Sequence, residues 1–304
     1  MRWEDARRSD NIEDRRGEDY DGGGGGGGPM FGGAGGLGLG ATIVLGIIAY
    51  ALGIDPRILI GGAEMFNNVR GGGQTVERVE RPEQRPTAQP SDQTGQFVAA
   101  VLGQNEDVWA EIMPAQKGIK FQPARLVMFD GATDSACGTA QSAMGPFYCP
   151  LDRKIYLDTA FFNDMKRKLG GGGEFAYAYV ISHEMGHHIE NLLGILPKVQ
   201  RAQQQADSKQ QANALSVRVE LMADCLAGVW AANSQKKWQN LEQADIEQAI
   251  RTAQAIGDDR LQKASRGYAV PDSFTHGSSA QRVEWFSRGL KSGQIDSCNT
   301  FSRQ

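Results

Sequence analysis

The sequence predicts an α+β fold, mainly helical with a small sheet or hairpin, preceded by a disordered tail and one transmembrane helix. Three observations point there. Apolar residues recur at helical spacing through most of the chain after residue 96, two short stretches read as strands, and glycine is concentrated before position 75. With 304 residues, 40% of them hydrophobic, the chain can bury a sizeable core. A net charge of −4 without a dense Lys/Arg run excludes nucleic-acid binding as its main business.

The N-terminal elements come first. Met1 to Asp21 holds five Arg against eight Asp and Glu, and runs into the tract Gly22 to Gly28. Such composition cannot bury apolar surface, so residues 1–36 are expected to be a disordered tail. LGLGATIVLGIIAYALGI, residues 37–54, has no charged residue and would extend roughly 27 Å as a helix, close to a bilayer core. A signal peptide has a short basic region directly before its apolar run, whereas an acidic, Gly-rich stretch precedes this one. A buried soluble helix is the other competing reading. The five Arg before the span, against Arg57 and Arg70 after it, orient the N-terminus to the cytoplasm by the positive-inside rule. Residues 55–95, without apolar periodicity and with prolines, read as a linker.

The soluble domain spans residues 96–304. Phe97, Val98, Val101, Leu102, Val108, Trp109 and Ile112 mark one face of a helix. ARLVMFD, Ala124 to Asp130, reads as a strand, and GPFYCPLDRKIYLD, Gly145 to Asp158, as two strands joined at Pro150, Leu151 and Asp152. Helices are predicted from Glu174 to about Leu193, and over Asn213 to Ala232, Leu241 to Ile256 and Ala280 to Leu290. Four cysteines in a domain placed outside the cytoplasm suggest two disulfides; of three connectivities, Cys137 with Cys149 and Cys225 with Cys298 is the expected one. The competing reading is a buried free thiol at Cys225. No CxxC is present for a zinc knuckle.

Three of the four histidines fall in VISHEMGHHIENLLG, Val180 to Gly194. His183 and His187 are four apart, so a helix stacks both imidazoles on one face where they can reach one metal ion. Glu184 then stands beside that ion, placed to take a proton from water. Gly186 leaves room there. His188 is turned about 100° away and reads as packing or as support for the ligands. A hydrolytic zinc site needs a third protein ligand, and VRVELMADCLAGVW, Val217 to Trp230, supplies one. Glu220 and Asp224 are four apart on an apolar helix, Glu220 suited to the metal and Asp224 to a histidine N–H. Alternatively, the two acids pair with Arg218, Arg251 or another basic residue.

HEMGHH followed by ELMADCLAGVW resembles the bacterial neutral zinc metallopeptidase family, of the gluzincin type, as do FYCPLDRKIYLD and FTHGSSAQRVEWF. The resemblance covers most of the chain and implies a zincin-like domain in which His183, His187 and Glu220 bind one Zn2+ ion, Glu184 is the catalytic base and Asp224 supports a ligand. It implies a peptide or protein substrate; the apolar span, the Arg asymmetry and the cysteines lead to the expectation of a single-pass protein of the bacterial inner membrane with its catalytic domain periplasmic or extracellular. His276, Tyr148 and Tyr156 are candidates for a second donor to the developing oxyanion. His276 suits a catalytic role by its place downstream, before a helix start at Ser278 or Ser279. Lys154 to Asp158 is the expected strand edge for binding substrate backbone. The rival expectation is a non-catalytic, membrane-anchored scaffold whose structural zinc is closed by His276.

Overall fold

The computed structural model describes residues 1–18, 89–168 and 173–302. Among the described residues, six strands make two sheets. β1 (Ile12–Asp14), β2 (Arg125–Phe129), β6 (Lys154–Asp158) and β5 (Phe147–Cys149) form one sheet in that order, while β3 (Ala132–Ser135) and β4 (Gly138–Gln141) form a separate hairpin. β1, β2 and β6 run parallel, and β5 returns antiparallel to β6 through the turn expected at Pro150 to Asp152.

The period-two alternation of these strands divides the core. Leu126, Met128, Tyr148, Ile155 and Leu157 face the helices, while Val127, Phe129, Phe147, Cys149 and Tyr156 form a smaller cluster closed by Ala140 of the hairpin. The Cys137–Cys149 disulfide fastens that hairpin to β5.

The helices are α1 (Gln93–Lys117), α2 (Ala160–Lys168), α3 (Glu174–Leu192), α4 (Ile195–Gln204), α5 (Lys209–Trp238), α6 (Gln243–Ala255), α7 (Asp258–Arg266) and α8 (Ser279–Ser292). α3 is the central one, buried almost throughout from Phe175 to Glu190 and packed by α1, α5 and α6. Its start follows a glycine and its apolar residues surround the helix, as a core helix requires.

Two close approaches then fix the frame. A Cβ on Gly186 would lie 3.0 Å from the Cα and O of Ala223, so this glycine admits α5 against α3 rather than leaving room beside a metal. A Cβ on Gly289 would lie 1.9 Å from the Cys225 carbonyl oxygen, and one on Gly228 2.1 Å from that of Phe286. α5 and α8 therefore cross backbone against backbone. The Cys225–Cys298 disulfide staples the C-terminal turn at that crossing.

The N-terminal expectations need correction. Residues 1–18 are part of the domain: Ile12, Glu13 and Asp14 pair with Leu126, Val127 and Met128, and Trp3 and Ile12 are buried. Trp3 meets Phe97 edge-on at 5.4 Å, the Ser9 N–H donates to the Ala99 carbonyl, and Arg7 pairs with Glu106 at 2.7 Å. Each such buried apolar side chain contributes about 1.5–3 kcal/mol, which a tail in solvent would forgo. The predicted span, residues 37–54, lies outside the described residues, as does most of the linker. Among the described residues no helix is long and apolar enough to cross a membrane. The β1–β2 pairing also puts the chain before and after residues 37–54 in one folded body. A single crossing between them would leave the two on opposite sides, so that expectation is overturned.

Candidate metal centre

α3 and α5 bring the motif residues together. His183 and His187 stand one turn apart with ring centroids 4.8 Å from each other, and α5 lays Glu220 across them. His183 Nε2 is 3.2 Å from Glu220 Oε2, and His187 Nε2 is 3.6 Å from Glu220 Oε1. One ligand atom from each of the three residues lies within 4.8 Å of the others.

The opposite ring nitrogens are both held by acids. His183 Nδ1 meets Asp224 Oδ1 at 2.9 Å, and His187 Nδ1 meets Glu190 Oε2 at 2.8 Å. A carboxylate can only accept, so each Nδ1 carries a hydrogen, and both Nε2 atoms face Glu220, where a bound cation would take their lone pairs. Asp224 is in turn held by Arg282, whose Nε donates to Oδ2 at 2.8 Å and Nη2 to Oδ1 at 2.9 Å, and by the Tyr179 hydroxyl. The basic partner of this buried acid is thus neither Arg218 nor Arg251 but another basic residue, Arg282 from α8.

Charge at the centre follows this wiring. Burial alone would raise the Asp224 carboxyl, yet Arg282 and His183 outweigh it and hold Asp224 at about 2. Burial alone would discharge His183, yet Asp224 and Glu220 lift it to about 9. Burial pushes Glu190 up to about 7, against the pull of His187. The two Nε2 atoms and Glu220 therefore surround a point that favours positive charge. Glu184, next in the chain to His183 and 6% exposed, has its Oε2 buried without a hydrogen-bond partner.

The remaining candidates separate. His276 sits on an exposed loop built by Asp258, whose Oδ2 accepts the backbone N–H groups of Thr275, His276 and Gly277, and whose Oδ1 is 3.2 Å from His276 Nδ1. The burial its ring has works against the charge, but Glu220 and Asp258 raise its pKa, which puts the ring within electrostatic reach of the centre. It is not among the atoms that meet within 4.8 Å. His188 turns away, its Nε2 donating to the Gln122 carbonyl at 2.6 Å and its Nδ1 accepting from the Tyr148 hydroxyl at 3.0 Å.

Tyr148 is thereby used to hold β5 on α3, with Asn191 donating to the same hydroxyl, and Tyr156 donates to Asp152. Neither is free to serve an oxyanion. Lys154 to Asp158 also fails as the substrate edge, because β6 lies between β2 and β5 with both sides bonded. The edge nearest α3 is β5. Both expected disulfides are present, and no cysteine is free.

A family model described as "Putative neutral zinc metallopeptidase" matches residues 1–301. The chain belongs to this family. It is 45% identical over 306 residues to the uncharacterized protein YpfJ of Escherichia coli strain K12, covering 100% of this chain and 99% of that protein. The uncharacterized protein Rv2575 of Mycobacterium tuberculosis strain H37Rv is 40% identical over 215 residues, 67% of this chain and 70% of that one. No solved structure matches.

Membership of a zinc metallopeptidase family makes zinc the cofactor, and the donors fit that ion. Two imidazoles and one carboxylate, each imidazole backed by an acid, are the ligand types zinc takes in hydrolytic sites. Sequence reasoning missed Glu190, Arg282, Tyr179 and Asp258. A signal existed for two of them. Glu190 lies three residues after His187 on the same helix, and Arg282 occupies a position on α8 in line with the buried Trp285, Phe286 and Gly289.

Proposed function

We propose that this chain is a zinc-dependent peptidase that hydrolyses peptide bonds, with His183, His187 and Glu220 holding one zinc ion and Glu184 as general base. The convergence of both Nε2 atoms on Glu220, with each Nδ1 locked by a carboxylate, carries this reading. Zinc bound there would acidify a water and polarise the scissile carbonyl.

The chain's own groups do the rest. Glu184 accepts the attacking water's proton at its unpartnered Oε2 and hands it to the departing amine nitrogen. His276, its Nδ1 fixed by Asp258, offers Nε2 as the donor to the developing oxyanion. The outer side of β5 gives the substrate backbone an edge for strand addition, held beside the centre by the Tyr148–His188 bond. Among the described residues three protein ligands meet rather than four, an arrangement with a position for water that favours catalysis over a structural zinc in a scaffold. Two disulfides support work in an oxidising compartment.

Glu184→Gln tests the assignment. The variant is expected to keep its zinc and to lose at least about a hundredfold in cleavage of a mixed peptide library. Zinc retained with cleavage unchanged would refute the general-base role.

A further inference from the structure

The two histidines of the centre are supported unequally. Asp224, behind His183, comes from another helix and is itself held by Arg282 and Tyr179. Glu190, behind His187, lies on the same helix and is fully buried. Its Oε2 bonds His187 Nδ1, its Oε1 has no hydrogen-bond partner among the described residues, and its chain neighbour Ile189 belongs to the apolar core. Among the described residues no Arg or Lys bonds to it.

We propose that Glu190 is the positioning residue of His187: it fixes the Nδ1–H tautomer, aims Nε2 at the metal, and has its charge offset only through that ring and the bound cation. This rests on the metal-centre reading above. A buried carboxylate with one hydrogen bond is a poor structural element, since unpaired charge in an apolar surround destabilises the fold. It is a good supporting element, because an acid behind an imidazole raises the ring's basicity toward the metal. Asp224 cannot be probed cleanly, since its loss would also strand Arg282 between α5 and α8. Glu190 touches one partner, so its replacement isolates the effect on the ligand.

The test uses the full chain, Glu190→Gln as the near-isosteric variant and Glu190→Met as the apolar one. Zinc affinity is measured by competition with a chromophoric chelator, geometry by the visible absorption of the cobalt-substituted protein, and stability by melting of the metal-free protein. Glu190→Gln is expected to weaken zinc about tenfold and Glu190→Met nearer a hundredfold, both with altered cobalt bands. The metal-free Glu190→Gln protein should melt no lower than the parent, the sign that a merely structural residue would not give. Unchanged zinc affinity and cobalt spectrum in Glu190→Gln overturn the proposal alone, and a lower melting point with unchanged affinity does the same. Failure of the parent chain to bind zinc or cobalt overturns the metal centre itself. If Glu190→Met does not fold, Glu190→Gln decides.

Discussion

The residues that do the proposed chemistry are spaced for helices. His183 and His187, and Glu220 and Asp224, are two pairs four apart, and a 3.6-residue turn makes each pair a single face, so their juxtaposition is legible from sequence. What surrounds them is not. Arg282 reaches Asp224 only because α8 crosses α5, and Asp258 reaches His276 only because a loop folds back over α7; neither distance is encoded locally. Arg282→Met should be costly for this reason. Removing it leaves Asp224 at 0% exposure without its cation, and breaking a buried ion pair from one side typically destabilises by about 3–5 kcal/mol. Urea unfolding of the metal-free variant would check this, and a loss below about 1 kcal/mol would show that solvent reaches Asp224 after all.

Long elements with one dominant period could be read from the sequence, and short ones could not. α1, α3, α5, α6 and α8 emerge from apolar repeats, and the Ser278 cap of α8 from its motif, where Gln281 completes a capping box. β1 escapes because Ile-Glu-Asp has no alternation of its own; its register comes from β2. Strand order is equally hidden, so β6 could be mistaken for an edge. The α5–α8 crossing makes a sharp prediction at this scale. Gly289→Ala would force a methyl to within 1.9 Å of the Cys225 carbonyl, so the helices must part, at a cost of about 1–3 kcal/mol or more. A thermal melt within one degree of the parent would contradict the backbone contact.

The docking of β1 should also be acid-sensitive. Glu13 is buried, yet Lys154, Arg15 and Arg125 hold its carboxyl below the usual range, and Arg16 holds Asp92 at about 2. Groups depressed in the folded state stabilise it fully above their unfolded pKa values of about 4. That contribution disappears as pH falls through the folded values. Hydrogen-exchange protection at Ile12 to Asp14 should therefore be flat above about pH 5 and decline toward pH 2; constant protection throughout would exclude these ion pairs as the anchor.

Across the whole molecule, composition misled where charges are used internally. Thirteen charged residues in Met1 to Asp21, five Arg and eight acids, read as a solvated tail, whereas Arg7, Arg15 and Arg16 pair with Glu106, Glu13, Asp14 and Asp92 to bind residues 1–18 across α1 and the sheet. The two disulfides, by contrast, follow the pairing expected from the cysteine positions. The α3–α5 pair, locked by Gly186 and supported by α8, exists in this architecture to close two histidines on one glutamate. Metal analysis of the purified chain addresses that claim directly. One zinc per chain, lost on Glu220→Ala while near-ultraviolet circular dichroism shows the fold retained, is the expected result; a chain that holds no zinc, or keeps it after Glu220→Ala, would contradict it.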